Sequence, residues 1–157
     1  MNFKKIIQLI LCIAFPLLIG AASGFITAAG LGDWYQTINK PSFNPPNWLF
    51  GPVWTILYVL MGVSLFLILQ SQDVSRRRNA VAVFLFQLTL NFWWSIIFFS
   101  LESPGWALVE IAALWLSILI MILVFRTINH TAAYLQLPYL AWVNFAAILN
   151  GALWYLN

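Results

Sequence analysis

Five long runs of apolar residues dominate this 157-residue chain and constrain its fold more than any other feature. Each run is bounded by polar or helix-breaking residues and approaches the about 20 residues that a helix needs to cross a bilayer core. None alternates apolar and polar residues as the strands of a membrane barrel do. The sequence therefore predicts an all-α integral membrane bundle of five transmembrane helices, at about residues 6–29, 52–70, 80–100, 105–125 and 132–156.

The composition excludes the soluble classes of protein. Residues of the set AVILMFWYC make up 63% of the chain and charged residues only 7%, whereas a soluble domain carries about 45–50% apolar and about 25% charged residues. So few charges cannot cover a surface that faces water, and so apolar a chain does not stay disordered. We therefore interpret residues 1–157 as a single membrane domain whose surroundings are the lipid bilayer.

The chain contains few of the residues that bind metals, form disulfides or bind nucleic acids. The chain contains one cysteine, Cys12, one histidine, His130, and four carboxylates. One of the carboxylates, Glu110, lies within the fourth predicted span, where we expect a shallow or paired structural role. A lone cysteine forms no intramolecular disulfide, and a formal charge of +3 is small for a nucleic-acid-binding surface. We expect no metal, no resident cofactor and no nucleic-acid partner.

The basic residues predict the orientation of the bundle. Six of the seven Lys and Arg residues fall on one side of five spans, at Lys4, Lys5, Arg76–Arg78 and Arg126, and only Lys40 falls on the other. The positive-inside rule then places the N-terminus in the cytoplasm and the C-terminus outside. The basic start also resembles a secretory signal peptide, but its apolar run exceeds the about 7–15 residues of such a segment, so we expect a retained helix.

The connection between the first two spans, residues 30–51, is long and rich in proline and aromatic residues. Its prolines are Pro41, Pro45 and Pro46, and its aromatic residues are Trp34, Tyr35, Phe43, Trp48 and Phe50. Long ordered loops usually act as lids or binding loops, although Trp and Tyr also anchor chains at a membrane interface. Because prolines restrict the conformations of a chain, we favour an ordered outer lid over a plain anchor.

Polar and aromatic residues recur at helical spacing in three of the predicted spans. The stripes are Trp54, Tyr58 and Gly62 in the second span, Gln87, Asn91 and Trp94 in the third, and Pro138, Trp142, Ala146 and Asn150 in the fifth. Steps of three or four residues place each set on one helix face. The stripes predict either hydrogen bonds that only hold the bundle together, or a shared apolar cavity with a few polar groups, suited to a flat hydrophobic ligand.

Four segments together resemble one family. They are WYQTINKPSFNPPNWLFGPVWTILYVLMG, QLTLNFWWSIIFF, PGWALVEIAAL and LPYLAWVNFAAILN, which span most of the chain from Gly30 to Asn157 in order. They are similar to the signature loop and helices of the translocator proteins, also called the tryptophan-rich sensory protein family (TspO/MBR, formerly the peripheral-type benzodiazepine receptors), and the chain resembles a bacterial-type member. The resemblance implies a five-helix bundle, often a homodimer, with a ligand cavity beneath the first loop.

The resemblance also implies ligands and site residues. Family ligands are porphyrins, sterols in animal members, and synthetic isoquinoline carboxamides and benzodiazepines. The pocket positions carried over to this chain are Tyr35, Pro45, Trp54, Tyr58, Gln87, Asn91, Trp94, Trp106, Trp142, Phe145 and Ala146. Some bacterial members are reported to degrade protoporphyrin in light, with the tryptophans that match Trp54 and Trp142.

The chain departs from the family pattern at a few positions. Sterol recognition in animal members involves a Tyr and then an Arg at the end of the last helix, but here the Tyr position is Gly151 and no Lys or Arg follows Tyr155. The sterol motif is therefore absent. The usual Trp after Lys-Pro-Ser is Phe43. The small-residue pair linked to dimer packing in the third span is not evident, and Gly20 and Gly24 form such a pair in the first span instead.

Three functions follow as hypotheses. The first is a membrane receptor or carrier that binds tetrapyrroles such as protoporphyrin IX and haem, with a role in transport or stress signalling. The second is an enzyme that degrades porphyrin with light and oxygen, for which Trp54 and Trp142 would be the catalytic residues. The third is a structural scaffold with an incidental cavity, which we rank last because of the lid chemistry and the amide-bearing stripes.

Overall fold

The computed structural model describes residues 2–30 and 33–157, and most of them are helical. Five helices are long and apolar enough to cross a membrane, namely α1 (Phe3–Gly30), α3 (Phe50–Leu69), α4 (Val74–Ser95), α5 (Pro104–Arg126) and α7 (Leu137–Leu156). Two single-turn helices, α2 (Asp33–Thr37) and α6 (His130–Tyr134), lie in the connections that lead to α3 and α7. The described ranges contain no strand, so the prediction of an all-α bundle with five spans is confirmed.

Helix α4 begins six residues before the predicted span, because a cap and not the apolar run sets its start. Asp73 precedes the first turn, and its carboxylate accepts a hydrogen bond from the backbone N–H of Arg76 at 3.0 Å. The same carboxylate pairs with the Arg76 Nε at 3.2 Å. The three arginines thus lie in the first turns of the helix and not in a loop. The apolar run predicts the bilayer segment, whereas the N-cap predicts the helix end.

The last predicted span is divided into α6 and α7. Pro138 lies at the start of α7, where its missing N–H and its fixed φ suit the first helical turn. The same ring would break a helix that continued through it from α6. Upstream, the side chain of Asn129 caps α6 by accepting from the Ala132 N–H at 3.0 Å.

The five long helices form a closed ring. α1 packs between α3 and α4, α5 packs between α4 and α7, and α6 contacts α3. Small residues permit the closest approach, which is between α1 and α3. A methyl group at Gly62 would overlap the α1 backbone at Cys12 and Ile13, and one at Gly20 would overlap the ring of Tyr58. Gly20 is thus used inside the bundle and not on a dimer face, and the homodimer itself stays a prediction.

The apolar core fills the half of the bundle that contains the start of α4 and the end of α5. Met61, Phe84, Ile118, Met121 and Phe125 are completely buried there. The rings of Phe84 and Phe125 are stacked with centroids 6.5 Å apart. A second, smaller cluster at the other end joins α2 to the ends of α4 and α7. The space between the two clusters holds the cavity.

A π-helical turn, Ile96–Ser100, follows α4. The N–H of Leu101 donates to the carbonyl of Ile96 at 2.9 Å, which is a bond between residues five apart. Such turns insert a residue into a helix, rotate the side chains that follow, and occur often at functional sites. Here the turn carries Phe98 and Phe99, and both line the cavity.

Candidate functional site

A cavity of about 420 Å³ lies between the five long helices, beneath α2 and the loop that follows it. Its volume falls in the range of about 300–1,000 Å³ that is usual for small-molecule sites. The residues of the predicted site that line it are Tyr35, Trp54, Tyr58, Asn91, Trp94, Trp142 and Ala146. Most of the lining is aromatic or aliphatic, and a few amides and hydroxyls complete it.

Trp54 forms one aromatic wall together with its neighbours. Its ring stacks on Tyr58, one helical turn away, with centroids 5.5 Å apart, and meets the edge of Tyr139 at 6.1 Å. On α7, Trp142 packs against Phe50 at 5.9 Å and against Phe145 at 5.5 Å. Both indoles therefore line the cavity with a second aromatic ring behind them, an arrangement suited to stacking against a flat molecule.

The wall formed by α4 is fixed by hydrogen bonds. The Trp94 indole N–H donates to the Asn150 Oδ1 at 3.2 Å, and the Asn150 amide donates to the Pro104 carbonyl at 2.7 Å. The Trp94 ring stacks on Phe98 with centroids 5.1 Å apart. Trp94 is therefore held in one orientation by α4, α5 and α7 together.

A chain of buried hydrogen bonds forms the floor. The Tyr58 hydroxyl donates to the Asn91 Oδ1 at 2.6 Å, and the Asn91 amide donates to the Tyr139 hydroxyl at 3.1 Å. The Tyr139 hydroxyl donates in turn to the Gln87 Oε1 at 3.0 Å. This network joins α3, α4 and α7 and includes Tyr58, Gln87 and Asn91 of the predicted stripes. Gln87 lies beneath the floor and not in the cavity wall.

Helix α2 covers the cavity through Tyr35. This side chain is only 4% exposed, and its ring packs against Phe98 and Phe99. Its hydroxyl donates to the Asn44 Oδ1 at 3.1 Å, and the Lys40 ammonium lies 4.7 Å from its ring centroid. Burial raises the pKa of the Tyr35 hydroxyl, and the bond to Asn44 opposes part of that rise.

The other predicted site residues lie outside the lining. Phe145 packs behind Trp142 and contacts Phe43 of the loop. Pro45 lies in the loop, where its carbonyl accepts from the Asn44 amide. Trp106 is 71% exposed on a separate groove formed by α5 and the end of α4, so the structure does not bring it into the cavity.

Helix α1 supplies one wall that the sequence reasoning missed. The α1 residues in the lining are Leu17, Gly20, Ala21, Ser23, Gly24, Thr27 and Ala28. A signal was present, because small residues at positions 20, 23, 24, 27 and 28 follow the spacing of one helix face. From this face, only Gly20 and Gly24 were singled out from the sequence, as a packing pair. The aromatic pair Phe98 and Phe99 was also missed, since it depends on the π-helical turn.

The lining favours binding chemistry over acid–base chemistry. Among the described residues, no group of three His, Cys, Asp or Glu side chains could hold a metal ion. The lining includes no Asp, Glu, Lys or Arg in the described ranges. A lining of mostly apolar and aromatic side chains with a few polar groups is typical of sites for small molecules.

Comparison with known proteins adds independent findings. A sequence profile of the TspO/MBR family matches residues 12–156. The chain is 42% identical over 155 residues to the Tryptophan-rich protein TspO of Chlorobaculum tepidum, covering 98% of each protein. It is 43% identical to the protein of the same name from Archaeoglobus fulgidus, covering 100% of this chain and 99% of that protein. It is also similar to the Translocator protein of Homo sapiens, with 36% identity over 84% of this chain and 79% of that protein.

Proposed function

This chain belongs to the TspO/MBR family, and from that premise we propose that it is a membrane receptor or carrier for flat, hydrophobic tetrapyrroles such as protoporphyrin IX and haem. Isoquinoline- and benzodiazepine-type molecules are further ligands of the same cavity. The observation that carries the proposal is the pair of indoles, Trp54 and Trp142, in the lining of a cavity of about 420 Å³. Aromatic faces of this kind stack on planar ring systems.

The polar groups around the indoles support binding of a large apolar molecule. The Asn91 Oδ1 accepts a hydrogen bond from Tyr58, and the Trp94 indole donates to Asn150, whose amide donates to the Pro104 carbonyl. These groups therefore need no water as a partner. A wall that is already ordered loses little conformational entropy when a ligand binds. Tyr35, packed on Phe98, closes the outer side above such a ligand.

A titration in the dark tests the proposal. Purified protein in detergent is mixed with protoporphyrin IX while tryptophan emission and the porphyrin absorption band are recorded. We expect saturable binding in the wild type and weaker binding in Trp142→Ala, since loss of a stacking aromatic costs on the order of 1–3 kcal/mol in other systems. The matched control is Trp93→Ala, because Trp93 is half-exposed on the outside of the bundle. Absence of saturable binding to the wild type would refute the tetrapyrrole function.

The contacts of Trp54 favour porphyrin degradation in light and oxygen as a second function. Trp54 stacks on Tyr58 and touches Tyr139, so oxidisable aromatic rings lie side by side at the cavity in which we propose that porphyrin binds. The porphyrin itself would supply the excited state. Illumination of the complex in oxygen should then give a new chromophore in the wild type. Trp54→Phe with Trp142→Phe should bind porphyrin and degrade it more slowly, and an unchanged rate would exclude these residues from the reaction.

A further inference from the structure

A second concave surface lies on the outside of the bundle, where α5 begins. It is a groove of about 550 Å³ between the first turns of α5 and the segment that joins α4 to α5. Leu101, Trp106 and Val109 line it and are exposed. Both helices belong to spans that are long and apolar enough to cross a membrane. A ligand of this groove would therefore reach it from the lipid bilayer.

Glu110 is the only charged residue of the lining in the part of the chain that the structure describes. Both carboxyl oxygens are covered by neighbouring atoms, and within the described residues neither has a hydrogen-bond partner. Glu110 follows Pro104, the first residue of α5, by about 9 Å along the helix axis, at about 1.5 Å per residue. A carboxylate among apolar side chains is costly unless a cation pairs with it.

Trp106 adds an exposed indole one helical turn before Glu110. Residues four apart lie on the same face of a helix, and helical side chains incline towards the N-terminus, so the Glu110 carboxyl group leans towards Trp106. The face of an indole attracts a cation, and a carboxylate accepts strong hydrogen bonds from charged N–H groups. The two side chains together suit the head group of a protonated amine.

The rest of the lining indicates what accompanies that charge. Ile97, Leu101, Val109 and Ala113 give the groove an apolar surface for an alkyl or ring body. A phospholipid with an ammonium head group fits less well, because its phosphate would lie beside the Glu110 carboxylate. Within the described ranges no Lys, Arg or His lines the groove to pair with a phosphate. The matching ligand is a lipophilic amine that carries no anionic group.

We propose that this groove is a second, membrane-facing binding site for lipophilic amines in their protonated form. Glu110 accepts a hydrogen bond from the ammonium group, and Trp106 contacts the charge with its ring. The site is separate from the central cavity and does not depend on the ligand bound there. The π-helical turn lies between the two, with Ile97 in the lining of the groove and Phe98 in the lining of the cavity.

Equilibrium binding of radiolabelled N,N-dimethyldodecylamine tests the site. The protein is placed in phosphatidylcholine nanodiscs at pH 7, where alkyl amines carry a proton, and uptake by empty nanodiscs is subtracted. We expect saturable binding to the wild type. Binding should be about tenfold or more weaker in Glu110→Gln, which loses a hydrogen bond to a charged group, and about threefold weaker in Trp106→Leu, which loses the cation–π contact. Dodecanol, which has the same chain without the charge, should not displace the amine.

Two variants control for surface charge and for the central cavity. Glu102→Gln removes a negative charge from the exposed turn before α5, and Trp142→Ala alters the cavity lining, so both should bind the amine like the wild type. Weakening by Trp142→Ala but not by Glu110→Gln would place the amine in the cavity. Equal weakening by Glu102→Gln and Glu110→Gln would reflect surface charge alone. Either result, displacement by dodecanol, or no saturable binding to the wild type overturns the proposal.

A second measurement uses the wild-type protein, so that it does not depend on the folding of Glu110→Gln. Protein labelled with ¹⁵N at the tryptophan indoles reveals the Trp106 signal by its loss in Trp106→Phe. Saturation with the amine should shift this signal, because the charge lies against the ring, and the same concentration of dodecanol should not. A Trp106 signal that stays in place with the amine bound, or that moves equally with dodecanol, refutes the site.

Discussion

At the scale of single residues, hydrogen bonds within the protein hold several of the polar side chains that line the cavity. Tyr58 bonds to Asn91, and Trp94 bonds to Asn150. These bonds fix the aromatic walls, so the order that a ligand needs is present before it binds. The lining is mostly apolar, and the Trp142 Nε1 is buried in it without a hydrogen-bond partner among the described residues.

A buried carboxylate outside the cavity yields the first prediction. Both oxygens of Glu110 are covered, and no hydrogen-bond partner for them lies in the described ranges. The expected partner for a structural role is thus missing. A charged group in this place is costly, and Gln keeps the shape of Glu without the charge. Glu110→Gln should therefore unfold at pH 7 at the wild-type temperature or above it, as measured by circular dichroism in detergent.

A matched substitution controls for the loss of one negative charge. Glu102 is exposed in the turn before α5, and Glu102→Gln should leave the unfolding temperature unchanged. A fall of about 4 °C or more in Glu110→Gln alone corresponds to roughly 1 kcal/mol or more. That result would show that the carboxylate makes an interaction that the amide cannot replace.

At the scale of helices, the sequence predicted what depends on the bilayer and missed what depends on contacts between helices. The apolar runs marked all five spans, because the length of each run reflects the thickness of the membrane. The start of α4 followed a cap at Asp73 outside the apolar run. The π-helical turn at Ile96–Ser100 left no periodic signal, since its bond from Leu101 to Ile96 forms in the packed bundle.

The cavity was also only partly predictable. Spacing alone assigned faces to α3, α4 and α7, and those faces supply Trp54, Trp94 and Trp142. Spacing cannot distinguish a residue in the wall from one below the floor, and Gln87 proved to lie below it. Small residues give no sign of whether they face a helix or a cavity, so the role of α1 needed the structure.

Two glycines of α1 test this difference directly. A side chain at Gly24 meets open space within 4 Å, whereas one at Gly20 meets the ring of Tyr58. Gly24→Leu should fill part of the cavity and weaken porphyrin binding, with an unfolding temperature close to that of the wild type. Gly20→Ala should lower the unfolding temperature, because overpacking costs about 1–3 kcal/mol. Unchanged binding by Gly24→Leu would place the ligand away from α1.

The connection between α2 and α3 is fastened to the end of α7. The Asn157 Oδ1 accepts from the Asn39 N–H at 2.8 Å, and the Asn157 amide donates to the Asn39 carbonyl at 3.0 Å. Asn157→Ala removes both bonds and should let the loop open more often. Release of bound porphyrin, followed by stopped-flow displacement, should become faster while association changes less.

A nearby serine provides the control for this clamp. Ser42 is exposed in the same loop, and Ser42→Ala should release porphyrin at the wild-type rate. Equal release rates for Asn157→Ala and the wild type, with the helical content preserved, would mean that the clamp does not govern opening. The packing of Tyr35 on Phe98 would then be the contact that holds the cover closed.

At the scale of the whole molecule, the two ends of the bundle differ in how densely they are packed. One end contains the dense apolar core, with Phe84 and Phe125 stacked inside it. The other end contains the cavity and its cover, and α1 residues of the lining, such as Ala21 and Gly24, are exposed. The bundle thus combines a densely packed end with a more open end that holds the cavity.

The distribution of positive charge predicts which end faces the cytoplasm. Lys4 and Lys5 lie in the first turn of α1, Arg76–Arg78 in the first turns of α4, and Arg126 in the last turn of α5. All six lie at the end of the bundle that holds the dense core. The positive-inside rule therefore puts the cavity on the outer side.

With Cys12 replaced by alanine, Ser42→Cys should react with a membrane-impermeant maleimide on intact cells, and Ser75→Cys only after permeabilisation. Both serines are exposed, so reactivity reports the side of the membrane, and the reverse pattern would invert the bundle and open the cavity to the cytoplasm.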